Sequence, residues 1–186
     1  MDFKGRYHSE LERSSKYAAR EAEAKALLVR NLGKLGIQVL EGDSNYVGVQ
    51  GKVQGHPSLR FDFSLWYPMP GYRSILLGYI EVTGDAVEDD YIYILSEKVE
   101  KARRVDVPVW FLYYKEKMRK RVVIRAQTAA KFGTLVNWIQ GEKPYYRVPM
   151  SRATGFRQWT LWFADIIHVI NEGRWYEVKS HLTRWT

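Results

Sequence analysis

The first long pattern along the chain has helical spacing. From about Ser9 to Lys34, Ala18, Ala22, Ala26 and Val29 form an apolar stripe with Leu28, Leu32 and Leu35 beside it. Ser9 and Glu12 have capping-box spacing at its start, Ser14 and Ser15 are where it could break, and Gly36 stops it. The period then falls to two. Ile37–Leu40 predicts a short strand followed by a turn, and Tyr46–Gln54, interrupted by glycines, reads as a twisted strand or a mobile loop. From Arg60 to Asp85 two β-rich runs flank a Pro-Met-Pro-Gly turn, which predicts a hairpin. In the first run Phe61, Phe63 and Leu65 alternate with Asp62, Ser64 and Trp66, so Asp62 is expected to point away from both phenylalanines. In the second, Ile80 and Val82 share one face and Tyr79, Glu81 and Thr83 the other. This run, SILLGYIEV, is nearly continuous in apolar residues and predicts a strand buried on both faces.

Beyond it, Asp85, Glu88, Asp89 and Asp90 are expected to open a second helix, Asp89 to Arg104, with Ile92, Leu95, Val99 and Ala102 on its apolar side. Residues 107–114 predict a buried strand, 115–121 a basic turn and 122–126 another strand. Ala129–Gln140 reads as a short helix and Tyr145–Met150 as a strand. Trp159–Ile170 fits either a strand or a helix, with Trp175–Val178 pairing with it. The order predicts an α/β fold in which a mixed β-sheet is covered by helices on both faces. Residues 1–128 would form the core, and residues 129–186 a Trp- and Arg-rich extension packed on it as one compact domain.

Composition narrows the partners. The formal charge of +8 favours an acidic partner, nucleic acid first. No apolar run is long enough to span a bilayer and no signal-peptide pattern is present, so an intracellular, cytoplasmic protein is expected. The chain has no cysteine, which removes disulfides and thiolate metal sites. The four histidines are scattered without zinc-ligand spacing, and no P-loop, nucleophile elbow or dinucleotide-binding motif is present.

The chemistry concentrates on two carboxylates. Glu81 sits near the end of a buried strand, where an unpaired charge is costly, and Asp62 lies on the strand expected to pair with it. Two carboxylates converging at a sheet edge make a hard-oxygen site suited to Mg²⁺ or Mn²⁺. The helix end carrying Lys98, Lys101, Arg103 and Arg104 reads as a solvated helix end or a phosphate clamp. In the last third, Arg147, Arg152 and Arg157 interleave with Trp138, Tyr145, Tyr146, Trp159, Trp162, Trp175 and Trp185. Such interleaving suits phosphate contacts with base stacking, or else a tryptophan core with an arginine rim.

Over roughly residues 15–115 the chain resembles the PD-(D/E)xK nuclease superfamily, the restriction-endonuclease-like fold shared with archaeal Holliday-junction resolvases and archaeal viral nucleases. Arg60-Phe61-Asp62 stands where that motif has Pro-Asp, and Glu81-Val82-Thr83 where it has Glu-x-Lys. The resemblance implies a helix, a three-strand meander, a helix and a further strand. It also implies that Asp62, Glu81 and the Val82 carbonyl hold a divalent cation. Thr83 replaces the motif lysine, and a hydroxyl cannot supply an ammonium charge. Lys98 on the following helix is the candidate substitute, with Lys52 behind it. The catalytic set expected is therefore Asp62, Glu81, Thr83 and Lys98, with DNA contacts from Lys101, Arg103, Arg104, Arg147, Arg152 and Arg157. The expected activity is a metal-dependent deoxyribonuclease of low sequence specificity, a homodimer by analogy, acting in the host cytoplasm if viral. The alternative is a non-catalytic DNA-binding protein on the same scaffold.

Overall fold

The computed structural model describes residues 3–42, 61–69, 71, 74–137 and 143–184, with the side chains of the first helix from Ser15 onward. The expectations for Tyr46–Gln54, Lys52, Trp138 and Trp185, and for the side chain of Trp175, lie outside what is described.

Helix α1 (Phe3–Leu32) begins ahead of Ser9 and runs unbroken, so the Ser9/Glu12 pair lies inside it rather than capping it. A 3₁₀ turn, Gly33–Leu35, stops at Gly36, whose φ of 77° is the left-handed conformation open to a residue without Cβ. The buried residues of α1 are Ala24, Leu27, Leu28 and Leu32, whereas Ala18, Ala22, Ala26 and Val29 face solvent. The expected stripe is thus rotated. Leucines bury far more apolar surface than alanines, and they decide which side meets the sheet.

Strands β1 (Gln38–Glu41), β2 (Phe63–Tyr67) and β3 (Ile75–Asp85) form the expected antiparallel meander. Next come β4 (Tyr91–Leu95) and a short helix α2 (Ser96–Ala102), then β5 (Val109–Lys115), which pairs with β3 in parallel. They are followed by β6 (Lys120–Arg125), α3 (Ala126–Phe132), β7 (Thr134–Asn137), β8 (Pro144–Pro149), β9 (Thr154–Gly155), α4 (Phe156–Asn171) and α5 (Trp175–Arg184). The large sheet has the order β1-β2-β3-β5-β6-β9, and β4-β8-β7 form a second, smaller sheet. This is an α/β mixed sheet flanked by helices. Its helix, meander, helix and parallel strand follow the order that the restriction-endonuclease-like resemblance implied.

Three expected elements change type. The single helix expected over Asp89–Arg104 is strand β4 followed by α2. In the run YIYIL, Ile92 and Ile94 are fully buried while Tyr91 is exposed, the period-two pattern of β-branched and aromatic residues on a half-covered sheet. Of the acidic residues before it, Asp85 and Asp89 bond Lys115 instead of opening a helix. The helix expected over Ala129–Gln140 is α3, already over at Phe132, and then β7. The strand expected at Trp175–Val178 is the start of α5, and Trp159–Ile170 takes the helical option as α4.

Alternation along β3 and β5 sorts the core into two layers. Ile80, Val82, Trp110, Leu112 and Tyr114 point to the face covered by α1, α4 and α5. Tyr79, Val109, Phe111 and Tyr113 point to the face covered by α2, α3 and the small sheet. Trp110 stands edge-on to Trp159, Trp162 and Phe163 at centroid distances of 5.7, 5.9 and 5.6 Å. Trp159 and Trp162 are therefore core, the second of the two options left by their interleaving with arginines. Phe61 joins the second layer against Tyr79, while Phe63 and Leu65 join the first. The expected common side of Phe61 and Phe63 fails because Asp62 forms a bend ahead of β2, so strict alternation starts only at Phe63.

The β2–β3 register slips between Leu65, opposite Gly78, and Trp66, opposite Leu76. Gly78 has φ 154°, and a Cβ there would lie 2.5 Å from both the Pro108 carbonyl oxygen and the Trp110 ring. This glycine lets β3 lie close against β5 three residues before Glu81. Among the described residues no helix is long and apolar enough to cross a membrane.

Candidate active site

Phe63 pairs with Ile80 and Ser64 with Tyr79, so Ser64 and Tyr79 share the face to which Glu81 also projects, and the Glu81 charge acts on Asp62 just ahead of β2. Directly opposed residues of an antiparallel pair project to the same face. That face carries α2 and the small sheet. Asp62 itself lies just before β2, and its Oδ2 accepts a hydrogen bond of 2.6 Å from the Val82 N–H. Its main-chain oxygen accepts from the Gly42 N–H at 3.0 Å, which ties the end of β1 to the site.

Glu81 is only 5% exposed. Its Oε1 is 2.8 Å from Lys98 Nζ and its Oε2 is 3.4 Å from Lys101 Nζ. The two lysines sit three residues apart on α2, hence on one side of it. Val99 and Ala102, both fully buried, hold that helix down over the strand. Lys101 Nζ also lies 4.5 Å from the Phe61 ring centroid. A buried carboxylate is thus paired rather than stranded, as its desolvation requires.

Electrostatics set Asp62 apart. Burial, reinforced by the Glu81 charge and more weakly by Glu21, pushes its carboxyl up to about 6, against the pull of the Val82 N–H and Lys98. Burial pulls the Lys98 ammonium down, but the Glu81 ion pair and hydrogen bond together with Asp62 carry its pKa above the ordinary lysine value. Lys98 therefore stays cationic at neutral pH.

Lys98 also lines a cleft of about 450 Å³, together with Tyr17 and Glu21 of α1, Thr83, Gly84 and Asp85 of β3, Tyr93 and Leu95 of β4, and Tyr145 of β8. Beyond the cleft, Lys115 is fully buried and ends β5, although the sequence pattern reads it as the start of a basic turn. Its Nζ bonds Asp85 Oδ1 at 3.2 Å, Asp89 Oδ1 at 2.8 Å and the Val87 carbonyl at 3.2 Å. Tyr113 donates its hydroxyl to Asp85, and Tyr93 donates to Asp89 Oδ2 at 2.7 Å. Burial, then the Asp85 charge and that hydrogen bond, raise the Tyr113 phenol far above its usual range. The network fixes β4, and with it one wall of the cleft, to the end of β5.

The expected site residues thus divide. Asp62, Glu81, Val82, Thr83 and Lys98 converge, and Lys101, expected at DNA, lies 3.4 Å from Glu81 as well. Arg103 pairs with Glu100 at 3.3 Å and Arg104 is exposed just beyond α2. Arg147 pairs in register with Tyr93 and lies over the Tyr91 ring at 4.7 Å, beside the cleft. Arg152 stacks on Phe132 at 4.1 Å, and Arg157 opens α4 on the opposite face of the large sheet. The sequence pattern gives Glu21, Tyr17, Tyr93 and Asp85 no place in the site. Only Glu21 and Tyr17, four residues apart and so on one side of α1, left a trace in the local pattern.

Among the described residues no three or more His, Asp or Glu side chains group closely enough to hold a metal ion. The donors that would face a cation are the Asp62 and Glu81 carboxylates. Burial first, and the Glu81 charge second, raise the Asp62 carboxyl, and a pair of hard oxygen donors is the donor type that Mg²⁺ or Mn²⁺ prefers.

No family model matches the chain, and no curated protein sequence matches it significantly. Among solved structures, a nuclease from a fusselovirus is similar over 82% of this chain and 90% of its own, with a TM-score of 0.49 and 19% identity. A Holliday junction resolvase from Archaeoglobus fulgidus, an archaeal hyperthermophile, is similar over 74% of this chain and 91% of its own, with a TM-score of 0.40 and 17% identity. At these scores the likeness carries no weight for function, which has to rest on the carboxylate pair.

Proposed function

We propose that the protein is a cation-dependent deoxyribonuclease that hydrolyses phosphodiester bonds with little sequence specificity. The observation that carries this reading is the buried Asp62/Glu81 pair with Lys98 Nζ 2.8 Å from Glu81. A carboxyl raised by burial and by a second carboxylate is the kind of perturbed group that marks a functional site, and Asp62 is held in that costly state. Asp62, Glu81 and the Val82 carbonyl would hold Mg²⁺ or Mn²⁺. Such a cation, when bound, lowers the pKa of a coordinated water and offsets charge on the scissile phosphate.

The chain's own groups do the rest. Lys98, kept protonated by its two carboxylate neighbours, supplies the positive charge that Thr83 cannot, and acts by electrostatics rather than as a base. Thr83 offers its hydroxyl to the phosphate from the cleft wall. The Val82 N–H holds the Asp62 carboxylate in place. Arg104 and Arg147 would meet backbone phosphates, contacts that carry no base information and weaken steeply with salt.

One observation favours the second reading, a DNA-binding protein without catalysis. Both Glu81 oxygens are already engaged by lysines, so a cation must compete for them. Cleavage of labelled linear and branched DNA with Mg²⁺ or Mn²⁺, against EDTA and a Glu81→Gln variant, separates the two. Cleavage lost in both controls supports the nuclease. Salt-sensitive binding without any cleavage overturns it and leaves the binding protein.

A further inference from the structure

The cleft beside the carboxylates is not shaped or charged for a duplex. Its opposing walls carry tyrosines, Tyr17 on α1 and Tyr93 and Tyr145 on the small sheet. Tyr17 is 53% exposed, with the Arg20 guanidinium 5.5 Å from its ring centroid, so part of its ring is open to a ligand. A volume of about 450 Å³ lies in the range of single small-molecule sites and suits one nucleotide, not a double helix. The charges in the cleft are mixed in a telling way. Glu21 repels a phosphate, whereas a nucleobase is neutral and offers amino groups that a carboxylate accepts; Asp85 is already held by Lys115 and Tyr113. The positive charge is concentrated at Lys98, which lines the cleft and reaches out of it to Glu81 at 2.8 Å.

We infer that this cleft takes an unpaired base, stacked against the tyrosines, while its phosphate lies over the carboxylate pair. The substrate class is then DNA with a single-stranded segment at the cut: single strands, flaps or overhangs. The inference deepens the nuclease reading and rests on it for the word substrate. The base site itself stands on the cleft alone. Aromatic stacking tolerates any sequence because every base has a π-face. A duplex must unpair and unstack before it can present a base here, a penalty that a single strand does not carry.

The test is fluorescence anisotropy in EDTA with a labelled single-stranded oligonucleotide of mixed sequence and the blunt duplex of the same sequence. Tyr17→Ala and Tyr145→Ala should each weaken single-strand binding about tenfold, the loss of one stacking contact. Tyr145→Phe, which keeps the ring, should leave it unchanged, and duplex affinity should move in none of the three variants. Single-strand and duplex affinities falling together, or neither responding, overturns the inference, as does a failure to bind either probe. Because Tyr17 is exposed at the surface of α1, its alanine variant keeps the fold and decides the matter if Tyr145→Ala does not fold. Binding is read without cleavage, so the two readings fail separately. Tyrosine-dependent single-strand binding with no cleavage in Mn²⁺ sinks the nuclease and keeps the base site. Cleavage with no such binding does the reverse.

Discussion

Replacing Asp62 by asparagine removes one ionisable group and keeps its main contact, because the asparagine carboxamide oxygen still accepts from the Val82 N–H. The new amide group also faces Glu81 as a donor rather than as a second negative charge. In the native protein the Asp62 carboxyl is raised from 3.8 to about 6, by burial first and Glu81 second. A raised carboxyl pKa means that the fold prefers the protonated form. Below pH 3.8 both folded and unfolded chains are protonated and the carboxyl imposes no penalty. Between 3.8 and about 6 the unfolded chain ionises first and stability falls, and above about 6 the penalty is complete. A shift of about two units at ~1.4 kcal/mol each gives about 2–3 kcal/mol, the lower figure allowing for solvent screening. Asp62→Asn should therefore be more stable than the native protein by that amount at pH 8 in EDTA. The gain should shrink on acidification and vanish near pH 4. Urea denaturation followed by tryptophan fluorescence measures it, since Trp110, Trp159 and Trp162 report on the core. A variant that is less stable at pH 8, or a difference that does not change with pH, would refute the claim that Asp62 is an uncompensated charge.

Other consequences follow from the same contacts. In the same denaturation assay, millimolar Mn²⁺ should raise the native midpoint at pH 8 and leave that of Asp62→Asn unmoved, because a ligand stabilises only the fold that binds it. Lys98→Ala should lower the single-turnover cleavage rate by about 100-fold, the usual loss of one preorganised electrostatic contact, without the steeper salt dependence expected of Arg147→Ala. Lys115→Met should destabilise the protein by about 3–5 kcal/mol, since it leaves Asp85 and Asp89 without the buried ammonium they share; thermal melting reads this directly. Gly78→Ala should cost at least about 1–3 kcal/mol in the same melt, because its Cβ meets backbone and a tryptophan ring at 2.5 Å.

Much of the site was legible because it is carried by one hairpin. The period-two pattern around Tyr79–Thr83 put Glu81 on a definite face, and the turn between the two runs brought Asp62 to it. Lys98 was within reach as a substitute only through the resemblance, and the helix assigned to it was wrong in its first half. There the acidic run ahead of Tyr91 outweighed an alternation of tyrosine and isoleucine that spelled a strand. What stayed hidden depends on distant pairing. Lys115 meets Asp85 because β3 and β5 run parallel and in register, a fact no local window contains. Lys101 was given to DNA because a helix end rich in lysine looks solvated until a buried glutamate lies beneath it. Tyr17 and Glu21 were missed because the phase of α1 was read from alanines, while the leucines on the other side do the packing.

The most direct test of the carboxylate site is single-turnover cleavage of labelled DNA in Mn²⁺ by the native protein and by Asp62→Asn, with the stability of both measured in the same buffer without metal. The expected result is a variant that is more stable than the native protein and cuts at least about 100-fold more slowly, so that the loss cannot be laid to unfolding. An Asp62→Asn protein that cuts at the native rate would contradict the assignment of this carboxylate pair as the catalytic centre.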